Sequence, residues 1–225
     1  MPKHGLIIVA AGSGERMKLS TPKALLPLNG VPLVLHTVRA FEKLPIFTES
    51  ILVVSKEIFE TISPQLSAPW RCILGGASRQ ESMGLGLAAL SSGCDYVWVH
   101  DGARPFLSRD LLLRLQKKIE EGVGCIAAIP ANDTVKKVKE REILETLDRR
   151  ELYLAQTPQV FSAHVLRTAV ERAKKEGWTV TDEASMVERA GGKVEIVLGE
   201  ATNIKITTQN DLILGEFLAK QESSK

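Results

Sequence analysis

The chain opens on an apolar run, Leu6-Ile7-Ile8-Val9, that stops abruptly at Ala10-Ala11-Gly12-Ser13-Gly14-Glu15-Arg16-Met17, with Pro22-Lys23 a few residues on. Consecutive apolar residues closed by small ones read as a buried strand running into a tight loop. Gly12 and Gly14 have no Cβ, so a positive φ is open to them and their N–H groups can face an anion. Arg16 and Lys23 place positive charge on either side. The glycines alone would describe a surface turn; with the two cations they describe a seat for the phosphates of a nucleotide. Two familiar phosphate loops are excluded. There is no Gly-Lys-Ser/Thr, and Met17 occupies the place of the third glycine of the dinucleotide fingerprint. The next strand, at 51–54, is followed by Ser55, where a ribose-binding acid would be expected.

Short apolar runs alternate with helix-length amphipathic runs through most of the chain, which is the pattern of a parallel sheet covered on both faces. Pro32 starts a helix whose Val34, Leu35, Val38 and Phe41 share one face. Strands are predicted at 51–54, 71–74, 95–100 and 124–129. Ser78 and Glu81 have capping-box spacing ahead of a helix. Ser108 opens a leucine-rich helix to about residue 121. A helix from Ser162 ends at Gly177, another starts at 181–185 and ends at Gly191-Gly192, and a last one carries Leu212 to Leu218. Further strands are predicted at 193–198 and, briefly, at 203–206. The tail, 222–225, is expected to be disordered.

The rhythm changes between residues 131 and 160. Segments 134–139 and 143–147 are short and polar-rich around a charged Glu140-Arg141-Glu142 turn, and Leu152-Tyr153-Leu154-Ala155 follows. They read as a β-meander projecting from the core. Exposed strand edges and apolar side chains need a partner, and a homodimer is the natural one; a hairpin packed on its own subunit is the alternative. The expectation is one domain over 1–225 with an arm at about 132–160.

Composition narrows the function classes. Net charge is +2 and the basic residues are dispersed, so neither nucleic acid nor a membrane surface is implied as partner. Aromatic residues make up 5% of the chain, too few for a stacking platform for single strands. No apolar run approaches the ~18 residues of a membrane span. Met1-Pro2-Lys3-His4 leads straight into the first strand, so no signal peptide and a cytoplasmic location are expected. Cys72, Cys94 and Cys125, and His4, His36, His100 and His164, fit neither zinc nor redox spacing.

Open α/β sheets bind ligands beyond the carboxyl ends of their strands. After the third strand come Gly75, Gly76, Arg79 and Ser82; after the fourth, Asp101 and Arg104; after the fifth, Asp133-Thr134-Val135-Lys136; near the last short strand, Lys205. One carboxylate among several cations suits a magnesium–triphosphate complex, because magnesium needs only one or two protein carboxylates. Asp101 is the candidate, and it equally suits an Asx-turn before Gly102. Lys23 and Arg16 would offset charge developing at phosphorus. Lys205 alternates with Ile204 and Ile206, which also fits the outward face of an edge strand. No Gly-x-Ser-x-Gly is present, and Ser82 and Ser185 have no evident histidine partner. A substrate phosphate attacking a nucleotide phosphorus needs no protein nucleophile, only positioning and charge compensation.

Ala10-Ala11-Gly12-x-Gly14-x-Arg16-Met17 with Pro22-Lys23 resembles the signature of sugar-phosphate nucleotidyltransferases. His100-Asp101-Gly102-Ala103-Arg104-Pro105, Asp133-Thr134-Val135-Lys136, Gln156-Thr157-Pro158-Gln159, Thr181-Asp182-Glu183-Ala184-Ser185 and Asn203-Ile204-Lys205 narrow this. Taken in order, the set resembles the 2-C-methyl-D-erythritol 4-phosphate cytidylyltransferase family over residues 6–218. The resemblance implies a Rossmann-like fold, a homodimer made by the arm, magnesium as cofactor, and transfer of CMP from CTP to methylerythritol phosphate. It implies that Ala10, Ala11, Gly12 and Gly14 hold the CTP backbone and that Arg16 and Lys23 clamp the triphosphate. It further implies that Gly76 and Ser82 read the base, that Gly102 lies by the ribose, and that Asp101 sits by metal and acceptor. Thr134 and Arg149 would bind the acceptor from the partner's arm. Lys205 would contact the attacking phosphate, and Arg104 and Thr157 would also serve the acceptor. Gly102 stands where the family often has alanine, a change expected to be harmless. Ala77 stands where many members have an acid near the ribose. Ribitol-5-phosphate cytidylyltransferase is the nearest rival, against which Ala103 and the 181–185 motif speak; a non-catalytic nucleotide-binding regulator is the rival of another class.

Overall fold

The structure, a computed structural model, describes residues 1–12, 21–120 and 122–223. Its strands are β1 (His4–Ala10), β2 (Pro27–Leu28), β3 (Val31–Pro32), β4 (Phe47–Val54), β5 (Trp70–Leu74), β6 (Tyr96–Asp101), β7 (Gly124–Pro130), β8 (Lys136–Lys139), β9 (Glu142–Thr146), β10 (Tyr153–Ser162) and β11 (Val194–Leu198). Its helices are α1 (Leu33–Glu42), α2 (Lys56–Ile62), α3 (Arg79–Ala89), α4 (Arg109–Glu120), α5 (Ala163–Glu176), α6 (Glu183–Arg189) and α7 (Gln209–Ser223).

Seven strands form one sheet in the order β11-β7-β10-β6-β1-β4-β5. All neighbours are parallel except β10, which runs antiparallel to both β6 and β7. The expected mostly parallel α/β sheet is therefore present. In β1 the pleat divides the apolar run between two cores. Leu6 and Ile8 join Leu52, Val54 and Trp98 under α1 and α4. Ile7 and Val9 join Ile51, Val53 and Val99 under α3 and α5. Both faces are covered, which is why β1 needs no polar alternation.

The helix starts follow their capping residues. Ser162 accepts from the Val165 N–H, Asp182 from the Ser185 N–H, and Gly177 closes α5 in the left-handed region at φ 65°. Ser78 accepts from the Glu81 N–H at 3.0 Å, as its spacing predicts. The reciprocal bond differs: the Glu81 carboxylate accepts from Ala77 at 2.8 Å, one residue ahead of the cap.

Three expectations are corrected and one helix is added. The projecting part is a two-stranded hairpin, β8–β9, and ends before Tyr153. Residues 153–160, assigned to the arm, lie in β10 and join the central sheet. No strand forms at 203–206. There the chain is held instead by the buried Asn203 side chain, which donates to the Thr157 carbonyl at 2.8 Å and to Gln156 Oε1 at 3.2 Å. An α-helix not anticipated from the sequence, α2, follows β4. The last helix continues through Ser223, into the tail expected to be disordered. Among the described residues no helix is long and apolar enough to cross a membrane.

Candidate active site

The carboxyl ends of β1, β5 and β6 open into one cavity of about 550 Å³. Ala10, Ala11 and Gly12 form one wall, and Gly76, Ala77 and Ser78 another. Lys23, Arg79, Asp101 and Lys205 bring charge to it, and Leu33 and Ala103 supply apolar surface. Its size suits a small-molecule ligand.

Each wall is fixed by bonds behind it. Gly102 N–H donates to the Val9 carbonyl at 2.9 Å, tying the end of β6 to β1. The buried Thr37 hydroxyl of α1 donates to the Gly102 carbonyl at 3.0 Å. Ser82 donates to the Ser78 carbonyl at 2.8 Å and accepts from the Gly76 N–H at 3.1 Å, so it shapes the Gly76 turn from within α3. A Cβ on Gly75 would lie 2.4 Å from Ala11 Cβ, so glycine here lets the two walls meet. A Cβ on Gly102 would lie 2.6 Å from Ala10 Cβ. The departure from alanine at 102, expected to be harmless, thus leaves the walls closer than an alanine would allow.

Asp101 is the electrostatic centre. Its Oδ1 is 3.0 Å from Arg79 Nε, its Oδ2 is 2.7 Å from Lys205 Nζ, and Arg104 Nε lies 3.9 Å from Oδ2. Burial alone would raise its pKa; Arg79, Lys205 and Arg104 outweigh that and hold the carboxyl well below the usual range, so it is ionised. Arg79 also makes a bidentate pair with Glu183, at 2.7 and 3.0 Å. Burial would lower the guanidinium's pKa, but Glu183 and Asp101 raise it.

Beneath Asp101 runs a buried chain of hydrogen bonds. The Asp101 N–H donates to Thr157 Oγ1 at 3.1 Å, and that hydroxyl bonds His100 Nδ1 at 2.9 Å. His100 Nε2 is 2.9 Å from the Arg104 carbonyl. The carbonyl can only accept, so the ring proton is on Nε2 and the Thr157 hydroxyl donates to Nδ1. Burial pushes the imidazole down to about 3, which keeps it neutral.

Of the sequence-predicted residues, the cavity gathers Ala10, Ala11, Gly12, Lys23, Gly76, Ser82, Asp101, Gly102 and Lys205. Arg104 and Thr157 lie behind the wall. The Arg104 guanidinium donates to the Asn203 carbonyl at 2.7 Å, and Thr157 is buried as just described. Thr134 and Arg149 are on or beside the hairpin, away from this cavity; Arg149 donates to the Asn132 carbonyl at 2.5 Å. Gly14 and Arg16 lie outside the described residues. Sequence reasoning counted Arg79 only among the cations past the strand ends, without a role of its own, and assigned none to Glu183 or Thr207. Arg79 was visible in the loop after the third strand, but its partner lies 104 residues away.

Asp101 is the sole carboxylate on the described wall, and both of its oxygens already face cations. Among the described residues no group of three or more His, Cys, Asp or Glu could hold a metal ion. Such a donor set suits a divalent ion that arrives with phosphate ligands of its own, not one bound by protein alone.

The sequence model of the family described as 2-C-methyl-D-erythritol 4-phosphate cytidylyltransferase (IspD) matches residues 5–221. A protein of that name from Syntrophus aciditrophicus (strain SB) is 38% identical, over 100% of this chain and 99% of its own. One from Bacillus mycoides (strain KBAB4) is 41% identical, over 97% and 99%. Among solved structures, 4-diphosphocytidyl-2C-methyl-D-erythritol synthase from Anaerococcus prevotii DSM 20548 superposes with a TM-score of 0.85 at 30% identity, covering 97% of this chain and 99% of that one. The cytidylyltransferase structure from Thermus thermophilus gives a TM-score of 0.83 at 32% identity, covering 98% and 100%. A cavity with a small-residue wall, a compensated aspartate and converging cations, in a chain matched end to end by these relatives, makes this protein a member of the 2-C-methyl-D-erythritol 4-phosphate cytidylyltransferase family.

Proposed function

We propose that the protein transfers the cytidylyl group of CTP to the phosphate of 2-C-methyl-D-erythritol 4-phosphate. An acceptor phosphate oxygen attacks the α-phosphorus; a P–O–P bond forms, the bond to the β-phosphate breaks, and pyrophosphate leaves. The observation that carries this reading is the Asp101–Lys205 contact of 2.7 Å on a cavity whose opposite wall is Ala10 to Gly12 with Lys23. Reaction of two anions needs cations on both and no protein nucleophile.

Lys23, with Arg16, is assigned to the triphosphate. The Ala10–Gly12 wall and Gly14 are assigned to the CTP backbone, Gly76 and Ser82 to the base, and Gly102 to the ribose. Lys205 is assigned to the acceptor phosphate and Asp101 to an acceptor hydroxyl. Thr157 and Arg104 act through Asp101, by holding its backbone and its carboxylate. Asp101 is the residue that would hold magnesium, which would withdraw charge from the leaving pyrophosphate. Turnover is therefore expected to need a divalent cation and to stop with chelator.

A homodimer through the hairpin is part of the proposal. Val138, Ile143 and Leu144 of the hairpin are exposed by 52, 59 and 54%, apolar surface that a second copy would cover. Thr134 and Arg149 would then serve the partner's acceptor site. The chain is read as one nucleotidyltransferase unit acting in the cytoplasm.

Pyrophosphate release with CTP and each of two acceptors, methylerythritol phosphate and ribitol 5-phosphate, tests the reading. Faster turnover of ribitol phosphate would overturn the acceptor assignment, and no product with either would overturn the activity. For the shared site, Arg149→Ala is expected to raise the acceptor KM, and mixed dimers of Arg149→Ala with Lys23→Ala should regain activity. None on verified mixed dimers would refute it.

A further inference from the structure

Glu183 begins α6, and its side chain is 1% exposed. It carries a charge in a place where a neutral residue of the same size would be easier to bury, because removing an ion from water is seldom repaid in stability. Its whole hydrogen-bonding capacity toward Arg79 is used in one planar fork, Oε1 to Nη1 at 2.7 Å and Oε2 to Nη2 at 3.0 Å. That leaves Nε of Arg79, which donates to Asp101 Oδ1 at 3.0 Å. The fork fixes the guanidinium plane, so the third bond has a fixed direction. α6 is itself anchored: Gln159 of β10 donates to Asp182 at 2.8 Å and accepts from the Ala184 N–H at 2.9 Å. The alignment of Asp101 is thus referred back to the central sheet through α6.

On the other side of Asp101 the contacts are looser. Lys205 is a single-point ammonium at 2.7 Å, and its side chain is about one-third exposed. An ammonium on a flexible stem can exchange a carboxylate for a phosphate oxygen. A guanidinium locked in a fork cannot do so at comparable ease.

We propose that Arg79 and Glu183 are positioning residues of the acceptor site: Glu183 locks Arg79, Arg79 pins Oδ1 of Asp101, and Oδ2 is thereby the oxygen released to an acceptor hydroxyl when Lys205 turns to the acceptor phosphate. This rests on the assignment of Asp101 and Lys205 to the acceptor. It gives the 181–185 motif a physical task in the reaction, which its sequence position alone does not reveal. The fork acts on one substrate only, because none of its bonds reaches the Ala10–Gly12 wall or Gly76.

The test uses full-length Glu183→Gln and Arg79→Lys enzymes in the pyrophosphate-release assay, varying CTP and methylerythritol phosphate in turn. Glutamine keeps the size of Glu183 and loses its charge; lysine keeps the charge of Arg79 and loses the fork. For both, kcat/KM for the acceptor is expected to fall by about 10-fold to 100-fold, with the CTP KM within about two-fold of the unaltered enzyme. Ser185→Ala, which removes a 3.0 Å bond to Asp182 in the same helix without touching Arg79, is the structural control and should leave both constants unchanged. A merely structural role for the fork predicts lowered thermal stability with unshifted constants in the folded fraction, and that result would overturn the proposal. So would a CTP KM that rises in parallel with the acceptor's. Should Glu183→Gln not fold, Arg79→Lys decides alone. Lack of product from the unaltered enzyme overturns the functional reading and this inference with it; product from the unaltered enzyme beside unshifted variants overturns the inference only.

Discussion

Replacing Gly75 with alanine is expected to damage CTP binding and stability together, and the size of the effect can be worked from three distances. The added Cβ would lie 2.4 Å from Ala11 Cβ, 2.8 Å from Ser82 Oγ and 3.3 Å from Val53 Cγ1. None of these can swing aside. Ala11 Cβ moves only with its backbone, and Ser82 Oγ is held by Ser78 and Gly76. Ordinary carbon contacts need about 1 Å more room than the Ala11 approach leaves. The backbone φ of Gly75 is not among the positive ones, so the conformation itself is open to alanine and the penalty is steric. Overpacking of this kind costs about 1–3 kcal/mol, against about 0.4–1 kcal/mol recovered from a stiffer unfolded chain. The net expectation is about 1–2 kcal/mol in urea unfolding. Because the displaced atoms are two walls of the cavity, a shift near 1 Å should also raise the CTP KM by about 10-fold or more. The acceptor KM should change far less. Gly84→Ala in α3 is the control: its Cβ would meet only Lys174 Cε, at 4.0 Å, and a helical alanine in place of glycine is worth up to about 1 kcal/mol. Wild-type stability and wild-type CTP KM in Gly75→Ala would refute the reasoning, as would equal losses in Gly84→Ala.

Lys23→Ala should lower turnover by about 10²–10³, the usual loss for a donor to transition-state charge, measured as kcat for pyrophosphate release; near-normal turnover would remove Lys23 from the chemistry. Gly102→Ala should raise the CTP KM, since its Cβ would lie 2.6 Å from Ala10 Cβ and 3.3 Å from the Val9 carbonyl, both of which move only with the backbone of β1; titration of the nucleotide checks it, and an unshifted KM would contradict it. Burial pushes the Cys72 thiol up to about 11, so the thiolate is scarce at pH 8 and alkylation should be slow, rising about tenfold per pH unit toward 11. Rapid, pH-independent labelling of Cys72 by iodoacetamide would contradict that.

Much of the sheet was legible because its strands are nearly unbroken apolar runs between turn residues, as at 51–54 and 124–129. The caps at Ser78, Ser162 and Gly177 and the helix start within 181–185 were legible for the same local reason: each needs only its own few residues. β10 was hidden. Gln156, Thr157 and Gln159 are buried polar residues, and from sequence they look like loop. Their polarity is matched one bond at a time by partners far along the chain: the Glu200 carbonyl, His100 and Asp182. Asn203 misled in the opposite direction. Its neighbours alternate like a strand, but its side chain supplies the anchoring that a ladder would have given. The cavity's walls were readable from the residues just past the carboxyl end of each strand. The fork between Arg79 and Glu183 was not, because nothing local distinguishes a buried pair from two solvated charges.

The charge arrangement explains why one acid suffices in this site. Among the described residues Lys23, Arg79, Arg104 and Lys205 are four cations on or just behind the wall, and Asp101 and Glu183 are the carboxylates that pair with Arg79, Arg104 and Lys205. Glu183 is spent on Arg79. Asp101 is then shared among Arg79, Lys205 and Arg104, so the cavity keeps a positive excess while its carboxylate stays ionised. A second free carboxylate on the wall would reduce that excess and repel the triphosphate. Without Asp101, three cations would face one another with no anion between them, at a cost that grows as the site is desolvated. Asp101→Asn should therefore weaken more than acceptor binding. Loss of the central charge should let Lys205 and Arg79 draw apart, lowering kcat as well as raising the acceptor KM. Asp101→Glu, which keeps the charge but moves it by one methylene, should restore stability without restoring kcat. Unfolding midpoints and kinetic constants measured on the same preparations separate the two effects, and full recovery of turnover by glutamate would show that charge alone, not its placement, is what the fork and the lysine have been arranged around.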